Sequence, residues 1–457
     1  MSMPSRVTSE ATRKPGPAHA VLALGGFAIG TTEFAAMSFL PTFSSELGVD
    51  VPTGGHAISA YALGVVVGAP VLAVVGAHLN RRLLLVLLLT WFGLGNCLSA
   101  MAPGFDALMA LRFITAIPHG GYFGIAVLVA TGMVPEQKRG AAIGRVLLGL
   151  TLATTIGAPV ANLISQWLGW RWGFGALGLL SFMAAVLILF VIPAQTRVAG
   201  ASALQELQAL RRPQVWLSLG IGAIGFGGLF AVYTYLASTL ELVTKTPADA
   251  IPVVLAIFGV GMTCGNLAAS HLARRGPMPA VGMLLAWSAL ALALYPLAVS
   301  HAWSVAAAVF MIGLGGGLGA VLQMRFMDVA GHAQGLAASL NHAAFNVANA
   351  LGPYLGGLTI AAGYGWSSTG WVGCGLALSG LVLWALALAH ESRAVKCGRT
   401  AGCFQQSNDV RLDAAVIRQV GRQLCHVHSL LAEAFLGCRR IPPGAKAVNG
   451  WGWMLRP

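Results

Sequence analysis

Twelve apolar runs decide what this chain can become. They lie at roughly 18–40, 56–77, 83–102, 107–133, 141–165, 173–193, 215–238, 249–273, 279–300, 304–327, 336–362 and 369–390. Each is long enough for a helix to cross a hydrocarbon core of about 30 Å. In lipid an open chain satisfies its own backbone only as a helix, so the expected fold is an all-α membrane protein. Composition agrees: 57% of the residues are hydrophobic and 9% charged, against about 25% charged in an ordinary globular protein. That excludes a soluble enzyme or binding module. The first run follows a polar segment and no convincing cleavage site follows it, so it reads as a retained span.

The net charge of +13 is a topology signal and not a nucleic-acid footprint, because the bases sit in the connections. Arg6, Arg13, Lys14, Arg81, Arg82, Lys138, Arg139, Arg197, Arg211, Arg212, Arg274 and Arg275 fall on one side of the alternating spans. The other side holds Arg171 and Lys245 with Glu46, Asp50, Asp106, Glu241 and Asp249. The positive-inside rule then places both termini of this multi-pass chain in the cytoplasm. Cys97, Cys264 and Cys374 lie inside apolar runs and Cys397, Cys403, Cys425 and Cys438 in the polar C-terminal end. No metal-ligand spacing or disulfide framework is readable among them.

The chain repeats itself. His78-Leu79-Asn80-Arg81-Arg82 recurs as His271-Leu272-Ala273-Arg274-Arg275, Gly120-Gly121 as Gly316-Gly317, Pro159 as Pro353, and Gly169-Trp170 as Gly365-Trp366. Each match falls at the corresponding place in its half, at nearly one offset. The expected organisation is a cytoplasmic N-terminal segment (1–17), a six-helix half (18–193), a basic linker (194–214), a second six-helix half (215–390) and a basic tail (391–457) with no run long enough to span. Two such halves around a central cavity follow the parallel-repeat plan of one transporter class.

Inside the first run stands Glu33, the one acid well within an apolar segment. A carboxylate at that depth costs roughly 2.5–3.5 kcal/mol on insertion scales and needs a partner, a proton or a wet cavity. Two readings stand: a side chain leaning into the headgroup layer, or a cavity-facing carboxylate engaged in transport. Arg112, in the fourth run, lies at a similar depth, to within about one helical turn. A pair between them would relieve the cost of each charge; snorkelling of Arg112 to lipid phosphates is the alternative. His342, Asn346 and Asn349 share one helix face in the eleventh run, and for the asparagines both interhelical bonding and substrate contact are open. Arg325 and Asp328 are expected to form a local pair.

Several stretches carry a resemblance: Gly30-Thr31-Thr32-Glu33-Phe34, Arg81-Arg82, Arg112-Phe113-Ile114-Thr115, Pro118-His119-Gly120-Gly121-Tyr122-Phe123-Gly124, and Gly169-Trp170-Arg171-Trp172-Gly173-Phe174. With these the chain resembles the major facilitator superfamily, in its arabinose-efflux-permease-like branch of proton-coupled drug and sugar exporters, over about residues 18–390. The resemblance implies alternating access, no enzymatic activity, no cofactor beyond the proton gradient, and a monomer. Its partners would be a small-molecule substrate, protons and the bilayer, with no nucleic acid. It implies proton coupling at Glu33 and Arg112, and substrate contacts at Thr32, Glu33, Arg112, His119, Tyr233, Tyr235 and Gln323. A cytoplasmic gate would lie at Arg81, Arg82, Arg274 and Arg275. Gly157, Pro159, Gly352 and Pro353 are expected to serve helix packing, since small residues let backbones approach and proline frees a backbone bond. Where the family's second loop usually carries an aspartate and an arginine, this chain has Ala77 and His78, so an ionic latch there would be weaker. An uptake symporter of the same fold is the alternative function. A membrane enzyme would need a nucleophile or metal constellation, and a channel or receptor would need neither duplicated halves nor an intramembrane acid.

Overall fold

The computed structural model describes residues 15–75, 79–193, 211–330 and 334–401, and among these the regular structure is entirely helical. The first half contains α1 (Pro15–Ser38), α2 (His56–Val75), α3 (Arg81–Ala100), α4 (Phe105–Gly132), α5 (Arg139–Leu168) and α6 (Trp170–Val191). The second contains α7 (Pro213–Leu242), α8 (Ile251–Leu272), α9 (Pro277–Ala298), α10 (Ala302–Val329), α11 (Gln334–Thr359) and α12 (Ser368–Ala401). Ten of these are long and apolar enough to span by length and composition; α2 and α11 complete the twelve. Short helices Leu40–Glu46 and Val51–Gly54 join α1 to α2, the second capped by Asp50, whose side chain accepts from the Thr53 N–H at 2.8 Å. That bond holds the exposed Asp50 carboxyl below the usual carboxylate range.

Several helices are interrupted where the sequence supplies a cause. α5 passes through a π-helical turn at Ala153–Gly157 just before Pro159, which has no N–H to give back to that turn. A 3₁₀ turn over Gly315–Gly317 divides α10. Gly169 ends α5, and Gly365 ends the π-helical turn Ile360–Tyr364 that follows α11, with φ of 95° and 80°, the left-handed region that glycine enters without penalty. The matching Gly-Trp dipeptides of the two halves are thus matching helix stops. One boundary differs from the sequence reading. α12 runs on to Ala401, past the expected end at 390, because no proline stops it and Glu391 pairs with Arg325 of α10. The chain divides after Ser392 into two units; the rest of the tail from 402, and the linker over 194–210, lie outside the described residues.

The duplication is visible in the backbone contacts. A Cβ on Gly64 would sit 2.2 Å from the Phe113 carbonyl oxygen and one on Gly68 2.1 Å from that of Ile117, where α2 crosses α4. In the second half Gly261 and Gly265 meet the carbonyls of Phe310 and Leu314 at 2.4 and 2.2 Å, where α8 crosses α10. All four residues of the second set follow their counterparts by one constant offset. Trp91 Nε1 donates to the Ile114 carbonyl of α4 and Trp287 Nε1 to the Met311 carbonyl of α10, at 3.1 and 2.8 Å. Backbone-to-backbone crossings of this kind replace the hydrophobic drive that lipid removes. Overpacking ordinarily costs about 1–3 kcal/mol, and a carbonyl cannot turn aside as a side chain can. Gly68→Leu and Gly265→Leu are therefore expected each to lower the temperature at which the detergent-purified protein loses its monodisperse peak, whereas Gly140→Leu, with open space around it, leaves it unchanged.

The halves meet along a seam made by α2 with α11, α5 with α8, and α1 with α7. At the face opposite the start of α1, Ser59 Oγ donates to the Ala350 carbonyl (2.9 Å) and Gln166 Nε2 to that of Ala248 (2.8 Å). Midway, the Thr155 and Thr263 hydroxyls lie 3.2 Å apart, and a Cβ on Gly259 of α8 would come 2.4 Å from the Thr154 carbonyl in the π turn of α5. Toward the face where α1 begins, here the basic face, α4 and α11 touch through rings: Phe123 and His342 stack with centroids 4.8 Å apart. These cross-seam bonds lie at the opposite face and in the middle.

Candidate functional site

The centre of the bundle is built around Glu33. Its helix α1 carries buried residues on all sides through its last two turns, so the carboxylate has no route to a headgroup layer; its exposure is 7%. The headgroup reading of Glu33 does not apply in this structure. Its Oε1 accepts a 2.8 Å bond from Asn349 Nδ2 of α11, which joins the two halves through a buried amide and a buried acid. Asn349 sits on the polar face of α11 that the sequence exposes, and its own Oδ1 has no hydrogen-bond partner.

Arg112 is 1% exposed, so it does not snorkel. Its guanidinium lies over the Tyr61 ring at 4.2 Å from the centroid and 5.1 Å from that of Phe174. Such contacts are worth roughly 2 kcal/mol or more when desolvated. The expected Glu33–Arg112 ion pair is not formed: among the described residues Glu33 is held by Asn349 and Arg112 by aromatic faces. The two charges act on each other through space without contact. Arg112 is instead held over the Tyr61 and Phe174 rings, with Nε and Nη1 unbonded, while Asn349 bonds one carboxylate oxygen of Glu33.

Tyr61 extends the group. Its hydroxyl lies 2.9 Å from His119 Nδ1, and the His119 ring stands 6.3 Å from that of His342 across the seam. The chemistry of the centre is therefore one acid, one permanently charged base, two imidazoles and a phenol in a water-poor site. Such a group can hold or release a proton and can offer donors and acceptors to a small ligand. It holds no cluster of three or more His, Cys, Asp or Glu side chains suited to a metal ion, among the described residues.

The remaining predicted positions scatter. Thr32 is buried but its hydroxyl donates to the Ala28 carbonyl of its own helix at 2.9 Å. The ring of Tyr233 packs edge-on against Phe34 (5.4 Å), next to Glu33 in sequence, and its hydroxyl has no partner. Tyr235 donates to the Pro353 carbonyl at 2.8 Å, which places it in the α7–α11 contact with Gly352, whose Cβ would lie 2.3 Å from the Gly227 carbonyl. Gly157 approaches Thr31 in the same manner, at 2.1 Å from its hydroxyl oxygen, and Pro159 is buried beside it. Gln323 is half-buried in α10. At the basic face Arg82 turns to the Ile192 carbonyl of its own half (3.4 Å), Arg81 is half-buried and Arg274 exposed; the Arg275 side chain and residues 76–78 lie outside the described residues. Arg325 pairs with Glu391 and donates to Gln214 Oε1 at 3.2 Å, which corrects the expected local pair with Asp328. A small cavity of about 10 Å³, lined by Phe226, Leu229, Ser288 and Leu292 among others, lies within the second half, has room for one water, and is not part of this group.

Tyr61 and Phe174 were not singled out by sequence. The available signal for Tyr61 was a phenol within an apolar run, in a chain with seven tyrosines; a buried phenol usually finds a polar partner.

Duplicated six-helix halves meeting over a buried acid define a polytopic membrane transporter, and comparison with known proteins agrees. The chain belongs to the Major Facilitator Superfamily, which it matches over residues 22–340 and 246–402. It is 39% identical over 350 residues to the inner membrane transport protein YdhP of Escherichia coli (strain K12), covering 76% of this chain and 89% of that protein. It is 33% identical to the chloramphenicol resistance protein of Streptomyces lividans, over 74% of this chain and 88% of that one. The crystal structure of the nucleoside transporter NupG shares the fold with a TM-score of 0.65 at 13% identity, over 82% of this chain and 99% of that one. Family and relatives are transporters and not enzymes.

Proposed function

We propose that the chain is a proton-coupled antiporter that exports small molecules, such as drugs or sugars, by alternating access. The observation that carries this reading is the Glu33–Asn349 bond. A titratable group that itself fastens one half to the other can make the rocking of the halves depend on a proton. Ionised, Glu33 accepts from Asn349 and draws the halves together over the centre. Protonated, it is a weaker acceptor and no longer opposes the charge of Arg112. Relatives named for chloramphenicol resistance and for probable sugar efflux, the latter from Helicobacter pylori, support the export direction. The transporter works as a monomer with the proton gradient as its only energy source, and the tail from 391 takes no part in the cycle.

In inside-out vesicles with an acidic lumen, labelled chloramphenicol or labelled sugars are expected to accumulate with the chain present. Accumulation no higher than in vesicles lacking it, or accumulation only with the gradient reversed, would defeat proton-coupled export; the reversed result would favour uptake symport. The orientation follows from the basic connections. Reporter fusions after Arg82, Arg139, Arg212 and Arg275 are expected to read as cytoplasmic, and fusions after Asp106 or Lys245 as external. Any exchange between these sets overturns the assignment.

A further inference from the structure

The central site discriminates between substrates by charge, and the discrimination can be read from which of its groups are already satisfied. The carboxylate of Glu33 has a donor in Asn349. The guanidinium of Arg112 has two N–H groups, at Nε and Nη1, without an acceptor, although the residue is 1% exposed. A buried donor left without an acceptor costs free energy, more so when charged, and a charge-assisted bond to that donor is among the stronger ones available. The aromatic faces of Tyr61 and Phe174 stabilise the cation but accept nothing in the guanidinium plane. They also fix its orientation, so that the fork is held ready before any ligand arrives.

Arg112, Tyr61 and His119 all belong to the first half, and Asn349 covers Glu33 from the second. When the halves part at that bond, the wall laid open in the first half carries this positive, donor-rich group beside a single acid. We infer that the site selects an uncharged or anionic substrate that presents an oxygen acceptor to the Arg112 guanidinium, and disfavours organic cations. The inference rests on the transporter reading above and narrows its substrate class. A cation placed there would face the fixed charge of Arg112, which the Tyr61 and Phe174 rings hold in place. An oxygen acceptor finds two N–H groups with no competing partner.

The test is equilibrium binding to the full-length protein in detergent, with no gradient imposed. The probes are chloramphenicol, which is neutral and bears several oxygen acceptors, salicylate, which is anionic, and tetraphenylphosphonium, a rigid aromatic cation. At least one of the first two is expected to bind the parent at least tenfold more tightly than tetraphenylphosphonium does. Glu33→Gln is expected to keep the same order of probes. Arg112→Lys, which keeps the charge and loses the planar fork, is expected to weaken that tighter binding at least tenfold with the melting temperature of the ligand-free protein unchanged. Should Arg112→Lys fail to fold, the probe ranking on the parent and on Glu33→Gln decides the matter alone. Tetraphenylphosphonium binding as tightly as the acceptor-bearing probes, failure of both of those probes to bind, or indifference of binding to Arg112→Lys overturns the inference. Because no gradient is involved, the two readings fail separately. The binding order can hold in a protein that shows no proton-driven accumulation, and accumulation can be found for a protein that prefers the cation.

Discussion

Glu33→Gln abolishes gradient-driven accumulation and leaves folding and facilitated exchange intact: that is the largest single-residue effect expected here. Glutamine keeps the shape of the protonated acid, and its amide oxygen can still accept from Asn349 Nδ2, whose bond to Glu33 joins the halves. The seam therefore still closes and the bundle remains stable. What is lost is the ability to carry a proton from one face to the other. A gradient of one pH unit is worth about 1.4 kcal/mol per proton, a factor of ten in concentration. With coupling broken, that tenfold accumulation per proton falls to the level reached by equilibration alone. The measurement is uptake of a labelled substrate into inside-out vesicles with and without an imposed gradient, alongside counterflow exchange without one. If Glu33→Gln concentrates substrate as well as the parent, Glu33 is a structural group and coupling resides elsewhere.

Gly259→Leu is expected to produce the second largest effect, by a steric route. Gly259 lies in α8 where a Cβ would stand 2.4 Å from the Thr154 carbonyl, and Thr154 belongs to the π turn ahead of Pro159. The contact crosses the seam, so a leucine there blocks approach of the halves without disturbing the packing inside either one. The variant is expected to insert and fold, to lose transport by at least tenfold, and to keep the face opposite the basic one from closing. A cysteine pair made by Ser59→Cys and Ala350→Cys, in a background freed of native cysteines, reports on that face, since Ser59 and Ala350 are bonded when it is closed. The pair is expected to crosslink readily in the parent and poorly with Gly259→Leu. Equal crosslinking and transport in both would show that the α5–α8 approach is not needed for closure.

Much of this architecture is legible in the sequence because lipid leaves so few options. The twelve runs, the Gly-Trp stops and the doubled glycine and proline positions all translate into helices, ends and crossings. Glu33 and Arg112 are legible as members of one central group because each is a costly charge in an apolar run. Their partners are not. Asn349 stands 316 positions from Glu33, and helical periodicity gives the face it occupies but not which residue of the other half meets that face. Nor does any local signal say that Arg112 lies over the rings of Tyr61 and Phe174, since aromatic side chains are ordinary in membrane helices. The pairing of Arg325 with Glu391 in place of nearby Asp328 follows the same rule. Local spacing proposes a partner, and Glu391, brought beside Arg325 by the fold, supplies a better one.

The contrast between the crossings inside each half and the bonds along the seam has a mechanical consequence. Where α2 crosses α4, and α8 crosses α10, glycine meets bare carbonyl with no side chain to flex, so each half resists shear as a stiff block. One such approach also crosses the seam, that of Gly259 to the Thr154 carbonyl; otherwise the seam is tied by separate side-chain bonds, those of Ser59, Gln166, Thr155 and Asn349, and interhelical bonds in membranes are worth roughly 0.6–2 kcal/mol each. A body made of two stiff pieces and one compliant joint has a single soft mode. Thermal energy and the free energy of one proton, about 1.4 kcal/mol per pH unit, are of the same order as one of those ties. In the proton-driven cycle proposed above, work delivered near the centre would therefore go into opening or shutting the joint, with little dissipated in deforming the blocks.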